Sequence, residues 1–501
     1  MTIGLDTRSP DSPSKGLINQ KFVVAIVYVS SMLMNSIDST IVNVALATLS
    51  RQFNVSAEQI DMVVVSYLVS LAVFIPASGW LGDRFGTKRI FLIALGIFTV
   101  SSAACGLAGT FNQLIIFRAL QGVGGGMLTP VGMAMLYRAY PPSERVQVSR
   151  ILMFVTILGP ATGPVLGGLV IEKLSWHWAF YVNVPVGLAG FFFGLLFLHE
   201  SREPDPGRFD LRGFLFAGAG FAMFMYALSE GPSRGWLAPD IVITGVVGTV
   251  LLVLFALTEM RVHEPLVKLR LLGDRLFRST TVVSLFASAG FMGVLFMMPL
   301  FLQEARGFSP LQSGLATFPE AIGVVSSTQI VARLYPRIGP SRLMAAGLLG
   351  VAIMMGLLWT IDLNTSVWIV RGLMFFIGVG MAYVFLPAQV AAFATISRAD
   401  TGHASTLSSV QRRVGGALGV AVISSALAAV GATHLSSAGT AQPNITAYHV
   451  AFIVAAAMAA LAAIMALRIP DSLAAETMHV APKRGSADKE AREPLLVAED
   501  D

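Results

Sequence analysis

Between two apolar runs the chain reads Gly79-Trp80-Leu81-Gly82-Asp83-Arg84-Phe85-Gly86-Thr87-Lys88-Arg89. Gly82 and Gly86 permit a tight turn there, and the acid and bases leave a charged loop able to pair across one face of a helical assembly. A weaker echo follows at Tyr335-Pro336-Arg337-Ile338-Gly339-Pro340-Ser341-Arg342. Arg84 and Arg337 lie 253 positions apart, as do Arg118 and Arg371, while Gly163 and Gly167 find Gly415 and Gly419 at 252. A fixed offset of this kind marks a duplicated half. Six apolar runs occupy 22–198, so the offset leaves about 60 residues over, which is room for two further helices of about 20 residues each.

Composition says where such a chain lives. Of its 501 residues 55% are hydrophobic and 13% charged, with a mean hydropathy of +0.72; a soluble chain carries about 25% charged residues. Apolar runs near 22–48, 59–80, 89–109, 113–136, 149–171, 178–198, 213–230 and 240–259 are expected to span a bilayer. A second set lies near 279–302, 312–332, 342–360, 366–390, 404–430 and 447–467. Each span must be a helix, because no backbone polar group can go unpaired in hydrocarbon. The run at 404–430 is unusual in holding Gln411, Arg412 and Arg413. The expected divisions are a tail at 1–21, a six-helix bundle at 22–200, two inserted helices with linkers at 201–270, a second bundle at 271–468 and a disordered tail at 469–501. The polar first 20 residues predict no cleavable signal.

Of the 34 Lys and Arg residues, 26 fall on the loops of one side, four on the other (Arg51, Lys173, Arg234, Arg306) and four within spans (Arg118, Arg371, Arg412, Arg413). The positive-inside rule then puts both termini in the cytoplasm and makes the number of spans even, in a multi-pass protein of the inner (plasma) membrane. The net charge of +5 belongs to the loops and implies no nucleic-acid partner. A single cysteine, Cys105, excludes an intrachain disulfide and a Cys-based metal site. The seven histidines have no metal-ligand spacing. The fold class expected is an all-α polytopic membrane protein of fourteen helices. It consists of two six-helix bundles related by an axis along the membrane normal, plus two linker helices.

The loop Gly79–Arg89 is similar to the signature of the major facilitator superfamily between its second and third helices. The resemblance covers residues 22–467. It implies that Gly79, Asp83, Arg84, Gly86 and Arg89 form a cytoplasmic gating loop; a plain topogenic basic loop also fits. Ile37-Asp38-Ser39-Thr40-Ile41-Val42-Asn43-Val44-Ala45-Leu46 resembles the first-helix motif of the EmrB/QacA-type, fourteen-helix drug:proton antiporters, with Ala47 where proline is usual. A carboxylate in a span is costly and needs a cavity or a partner, so Asp38 either alternates between a proton and a cation or makes a helix–helix hydrogen bond. Arg118-Ala119-Leu120-Gln121-Gly122-Val123-Gly124-Gly125-Gly126 resembles the fourth-helix motif. There Arg118 is implicated in proton transfer through the first-helix acid, and a structural ion pair or carbonyl clamp is the other possibility.

Gly159-Pro160-Ala161-Thr162-Gly163-Pro164-Val165-Leu166-Gly167-Gly168 resembles the fifth-helix antiporter motif, whose prolines and glycines give a bent, closely packed helix. The resemblance implies export. Trp176-His177-Trp178-Ala179-Phe180-Tyr181-Val182-Asn183-Val184-Pro185 resembles the signature of the fourteen-helix branch, with His177 in place of arginine. Glu320 lies about nine residues into its span, roughly 14 Å deep, and facing Asp38 it would complete a polyspecific cation site. Asp61 either guides cations at the outer mouth or sits as a solvated acid at a helix start. Met34, Asn43, Tyr67 and Gln121 are expected near the substrate cavity.

These features imply a proton-coupled antiporter exporting small amphipathic or cationic compounds by alternating access. The protein would need no cofactor: no Walker-type loop is present, so the proton gradient supplies the energy. Its partners would be small molecules, protons and the lipid bilayer, and it would act as a monomer. The alternatives are a dedicated exporter of one endogenous metabolite or lipid, and an importer of the same superfamily. An enzyme is not expected, since the chain shows no catalytic constellation.

Overall fold

The computed structural model describes residues 19–478, apart from 56–59, 61, 142–143, 145, 147, 150–151, 153–158, 160–161, 164–165, 168, 172, 203–208, 263–264, 398, 432 and 436–440. Helices α1 (Gln20–Phe53), α2 (Met62–Phe85), α3 (Thr87–Gly106) and α4 (Phe111–Ala139) come first. Helical residues between 146 and 173 mark the expected fifth span, much of which lies outside the described residues. The short α5 (Trp178–Tyr181) leads into α6 (Asn183–Phe197), followed by α7 (Leu211–Arg234) and α8 (Pro239–Arg261). The second half comprises α9 (Arg275–Leu300), α10 (Pro310–Thr317), α11 (Pro319–Ile338), α12 (Pro340–Leu357), α13 (Val367–Ala392), α14 (Thr401–Val430) and α15 (Ile445–Ala466). Among the described residues, 13 helices are long and apolar enough to cross a membrane. Thr433–Leu435 and Ala441–Pro443 form a small antiparallel ribbon between α14 and α15.

Several helices begin where a polar side chain takes up a free N–H. Thr110 caps α4 through Gln113 N, Asp210 caps α7 through Gly213 N, Asp274 caps α9 through Phe277 N, and Ser309 with Gln312 forms a capping box on α10. The expected span at 312–332 is divided at Phe318, which keeps helical dihedrals, because Pro319 has no N–H with which to continue the helix's hydrogen bonds.

The repeat seen in the sequence is also a repeat in packing. In the first half α2 lies on α4, α3 on α4, α1 on α6 and α3 on α6; in the second half α11 lies on α13, α12 on α13, α9 on α15 and α12 on α15. The loops that carry the repeated sequence match too. Gly86 has φ of 98°, and the Glu200 carboxylate beyond α6 accepts from Lys88 N (2.9 Å) and Arg89 N (3.2 Å) at the start of α3. Gly339 has φ of 86°, and Asp471 beyond α15 accepts from Ser341 N (2.7 Å) at the start of α12. Only a glycine takes this backbone readily. Gly82 does not share in the turn: it lies within α2, with Thr87 and Val131 at ordinary packing distance.

The halves meet mainly on the face of the Asp83 loop. The apolar cluster there mixes first-half residues such as Phe91, Val131 and Tyr137 with second-half residues such as Phe277, Phe393 and Leu407. The cluster at the opposite end of the first half, around Ile41, Leu114 and Phe180, holds first-half residues alone. The inserted pair packs α8 on α7 and α7 against α2 and α14, so it flanks the seam between the halves.

Candidate functional site

Asp38 sits midway along α1 with no exposure to solvent. Its Oδ2 accepts from Arg118 Nη1 at 2.9 Å, and its Oδ1 accepts from Gln121 Nε2 (2.9 Å) and Asn183 Nδ2 (2.8 Å). One carboxylate thus ties α1 to α4 and α6. Arg118, 1% exposed, also donates from Nη1 to Gln121 Oε1 (2.7 Å) and from Nε to Val63 O on α2 (3.2 Å). Its guanidinium carbon lies 4.2 Å from the Tyr67 ring centre, a favourable cation–π arrangement. The Tyr67 hydroxyl donates to Asn35 Oδ1 (2.7 Å), and Asn183 Nδ2 also donates to Ser102 Oγ (3.0 Å). Arginine cannot give up its proton in a protein, so Arg118 brings a permanent charge against the Asp38 carboxyl in this buried pair. Protonating Asp38 would cancel that attraction and loosen α1 from α4 and α6 together.

The described glycines of the fifth span press on the same stretch of α1. A side chain at Gly159 would meet Ser36, and one at Gly163 would meet Thr40, which brackets Asp38 on both sides. Gly167 is buried. Pro164 and Gly168 lie outside the described residues, as do Asp61 and the side chain of Asn43. Met34, 2% exposed, belongs to the apolar cluster in which both halves meet.

Glu320 does not join this network. It stands in the first turn of α11, 7% exposed, its backbone against Gly378 of α13, with carboxylate Oε1 lacking a hydrogen bond. Arg371, the counterpart of Arg118, lies 4.6 Å from the Trp368 ring and has no acidic partner among the described residues. The ion pair of the first half is therefore not repeated in the second.

The loop residues take up different positions. Asp83, buried, accepts from Arg138 Nη2 at 2.7 Å and abuts Gly402 of α14. Gly79 lets α14 approach: a Cβ there would stand 2.8 Å from Thr406 Oγ1 and 3.2 Å from Gly402 O. Arg84 and Arg89 are exposed, and Arg84 offers its carbonyl to Arg202 Nε (2.7 Å). Around them Ser405 Oγ donates to Pro130 O (2.9 Å), Tyr137 stacks on Phe393 at 4.3 Å, and Lys268 pairs with Asp400 at 2.7 Å. Burial pushes the Asp400 carboxyl up, but hydrogen bonds from Lys268 and Ser397 outweigh it and hold it below the ordinary carboxylate range. This pair therefore survives at neutral pH.

Asn183, Arg138 and Glu200 were not singled out by the sequence as functional. Asn183 stands in a quoted motif, but nothing in that motif points across 145 residues to Asp38. Among the described residues, no three His, Cys, Asp or Glu side chains gather as a metal site would require.

A sequence profile of the Major Facilitator Superfamily matches residues 28–420. MdtD of Escherichia coli O127:H6, provisionally named a multidrug resistance protein, is 35% identical over 445 residues, covering 87% of this chain and 92% of its own. MdtD of Shigella boydii serotype 18 matches to the same extent. Among solved structures, the human organic anion transporter MFSD10 (TETRAN) aligns with a TM-score of 0.65 at 15% identity, over 89% of this chain and 99% of its own. The proton:xylose symporter XylE aligns with a TM-score of 0.65 at 16% identity, over 92% and 99%. At these identities the two structures speak for the fold alone.

Proposed function

The chain belongs to the Major Facilitator Superfamily, a multi-pass membrane transporter rather than an enzyme, and from that premise we propose that it is a proton-coupled antiporter exporting small amphipathic compounds. The observation that carries this reading is the buried Asp38–Arg118 pair with Gln121 and Asn183 on the same carboxylate. A proton delivered to Asp38 changes a contact shared by α1, α4 and α6. A two-state assembly responds to a ligand only through such a difference in contacts. The seal on the Asp83 face is the second half of the reading: with that face taken as cytoplasmic, the apolar cluster shared by both halves closes the protein toward the cytoplasm. Opening requires α14 to leave Gly79 and Asp83. Export direction is supported by the Gly159 and Gly163 contacts beside Asp38 and by the resemblance of that helix to antiporters.

The cation expected at Asp38 gains no support from this geometry, because both carboxylate oxygens are already engaged. Asp38 is proposed as the proton site alone. The polar central network is equally compatible with export of a single endogenous product. Inverted vesicles given an inward-acid interior are expected to accumulate substrate, and a protonophore to abolish the accumulation. Accumulation that appears only in right-side-out vesicles, or that ignores the protonophore, contradicts the proposal.

A further inference from the structure

α14 enters the bundle through the seal and then carries two arginines. Ser405 donates to Pro130 O on α4, and Thr406 lies against Ser78 and Gly79 on α2. Residues three, four and seven apart share a helix face, so Arg412 continues the stripe of Ser405 and Ser409, and Arg413 continues that of Thr406. Both therefore turn toward the first half just beyond the seal, Arg412 about 17 Å from the start of α14 at 1.5 Å per residue. The electrostatics agree: Arg412 acts on Tyr28 of α1 and Tyr137 of α4, and Arg413 on Tyr67 of α2.

Among the described residues neither arginine has an acid beside it and no ion pair reaches either; Arg412 Nη2 donates to Ser409 Oγ at 3.4 Å. The buried acids of the packed helices are committed elsewhere, Asp38 to Arg118 and Asp83 to Arg138. A guanidinium cannot become neutral, and at bilayer depth it calls for a partner. The repeat makes the point sharper: at the offset of 252 the first half has Pro160 and Ala161 in these places, so the pair serves no packing role common to both halves.

We infer that Arg412 and Arg413 are a substrate-anion site, and that the exported compound carries a carboxylate or similar oxyanion group beside its apolar body. The inference rests on the transport reading above and names its substrate class. A guanidinium fork matches an oxyanion in two-point geometry. Lying immediately beyond the contacts of Ser405 and Thr406, the site gains access to the cytoplasm only when that seal parts. The site and the proton group then lie in different halves, with Asp38 on α1 and the arginines on α14.

The test is binding, which needs no pH gradient and so separates this inference from the proposal of proton coupling. Full-length protein in maltoside, free of chloride and anionic lipid, is titrated with anionic carboxyfluorescein and with cationic ethidium, and fluorescence anisotropy is read. Carboxyfluorescein is expected to bind, naphthoate to compete with it, and ethidium to leave it in place. Arg412→Gln and Arg413→Gln are each expected to weaken carboxyfluorescein binding about tenfold or more, as loss of a charge-assisted hydrogen bond does. Arg413→Lys is expected to restore part of it. Without anion, the glutamine variants are expected to unfold at the wild-type temperature or above, whereas arginines that merely hold the fold would lower it. The inference is overturned by wild-type protein that binds neither carboxylate, by affinity unchanged in both variants, by ethidium displacing the anion, or, in a separate titration, by phosphatidylglycerol displacing the dye where naphthoate does not.

Discussion

Arg118 and Asp38 illustrate how much a single carboxylate can organise once water is excluded. Each is 1% exposed or less, and together with Gln121 and Asn183 they leave neither carboxylate oxygen free. Removing one partner of a buried pair strands the other, at a cost of about 3–5 kcal/mol. Arg118→Ala is therefore expected to lower the unfolding temperature of the solubilised protein sharply. The double change Asp38→Asn with Arg118→Gln is expected to recover most of the loss, since neutral amides keep the hydrogen bonds without the isolated charge. If the single and double variants melt alike, the pair is not the tie described. The sequence made both residues legible, because a charge inside an apolar run stands out. It could not show that Asn183 completes the site, since an asparagine at a membrane interface is ordinary and the contact spans 145 positions. Arg412 and Arg413 were equally visible as charges, but that they have no acid beside them among the described residues is a fact of packing.

Among the elements, α2 and α14 make the contact on which the proposed switching depends. Gly79 lets α14 come close: an added Cβ would stand 2.8 Å from Thr406 Oγ1 and 3.2 Å from Gly402 O, so a larger side chain must push α14 away. Overpacking costs about 1–3 kcal/mol, and 1–2 kcal/mol alone shifts a two-state balance roughly 5- to 30-fold. Cysteines at Ser78 and Thr406, whose hydroxyls lie 3.5 Å apart, are expected to cross-link readily in the resting protein. Adding Gly79→Val is expected to slow that cross-linking by a factor in this range. An unchanged rate would show that the seal does not form here. The helices themselves were read closely from apolar runs, yet their ends were not. The first span was expected at 22–48 and runs Gln20–Phe53, because nothing stops the helix until Asn54 takes φ of 52°. The caps supplied by Glu200 and Asp471 come from beyond the last helix of each half and carry no local signal.

For the molecule as a whole, duplication gives two matching frames, and divergence gives them different work. The packing order of the helices repeats, as do the glycine turns before α3 and α12. The charges, among the described residues, do not: the first half holds a paired acid and arginine, and the second holds Arg412 and Arg413 without an acid and Glu320 without a hydrogen bond on one carboxylate oxygen. The offset of the repeat disclosed the frame from sequence alone, while this division of labour needed the structure. If Asp38 carries the proton, coupling and substrate movement must be separable. The decisive measurement compares wild type with Asp38→Asn in proteoliposomes, following substrate exchange at equal pH and net accumulation under an imposed pH gradient. The account predicts that Asp38→Asn keeps equilibrium exchange while its gradient-driven accumulation falls to background; accumulation at the wild-type level would contradict it.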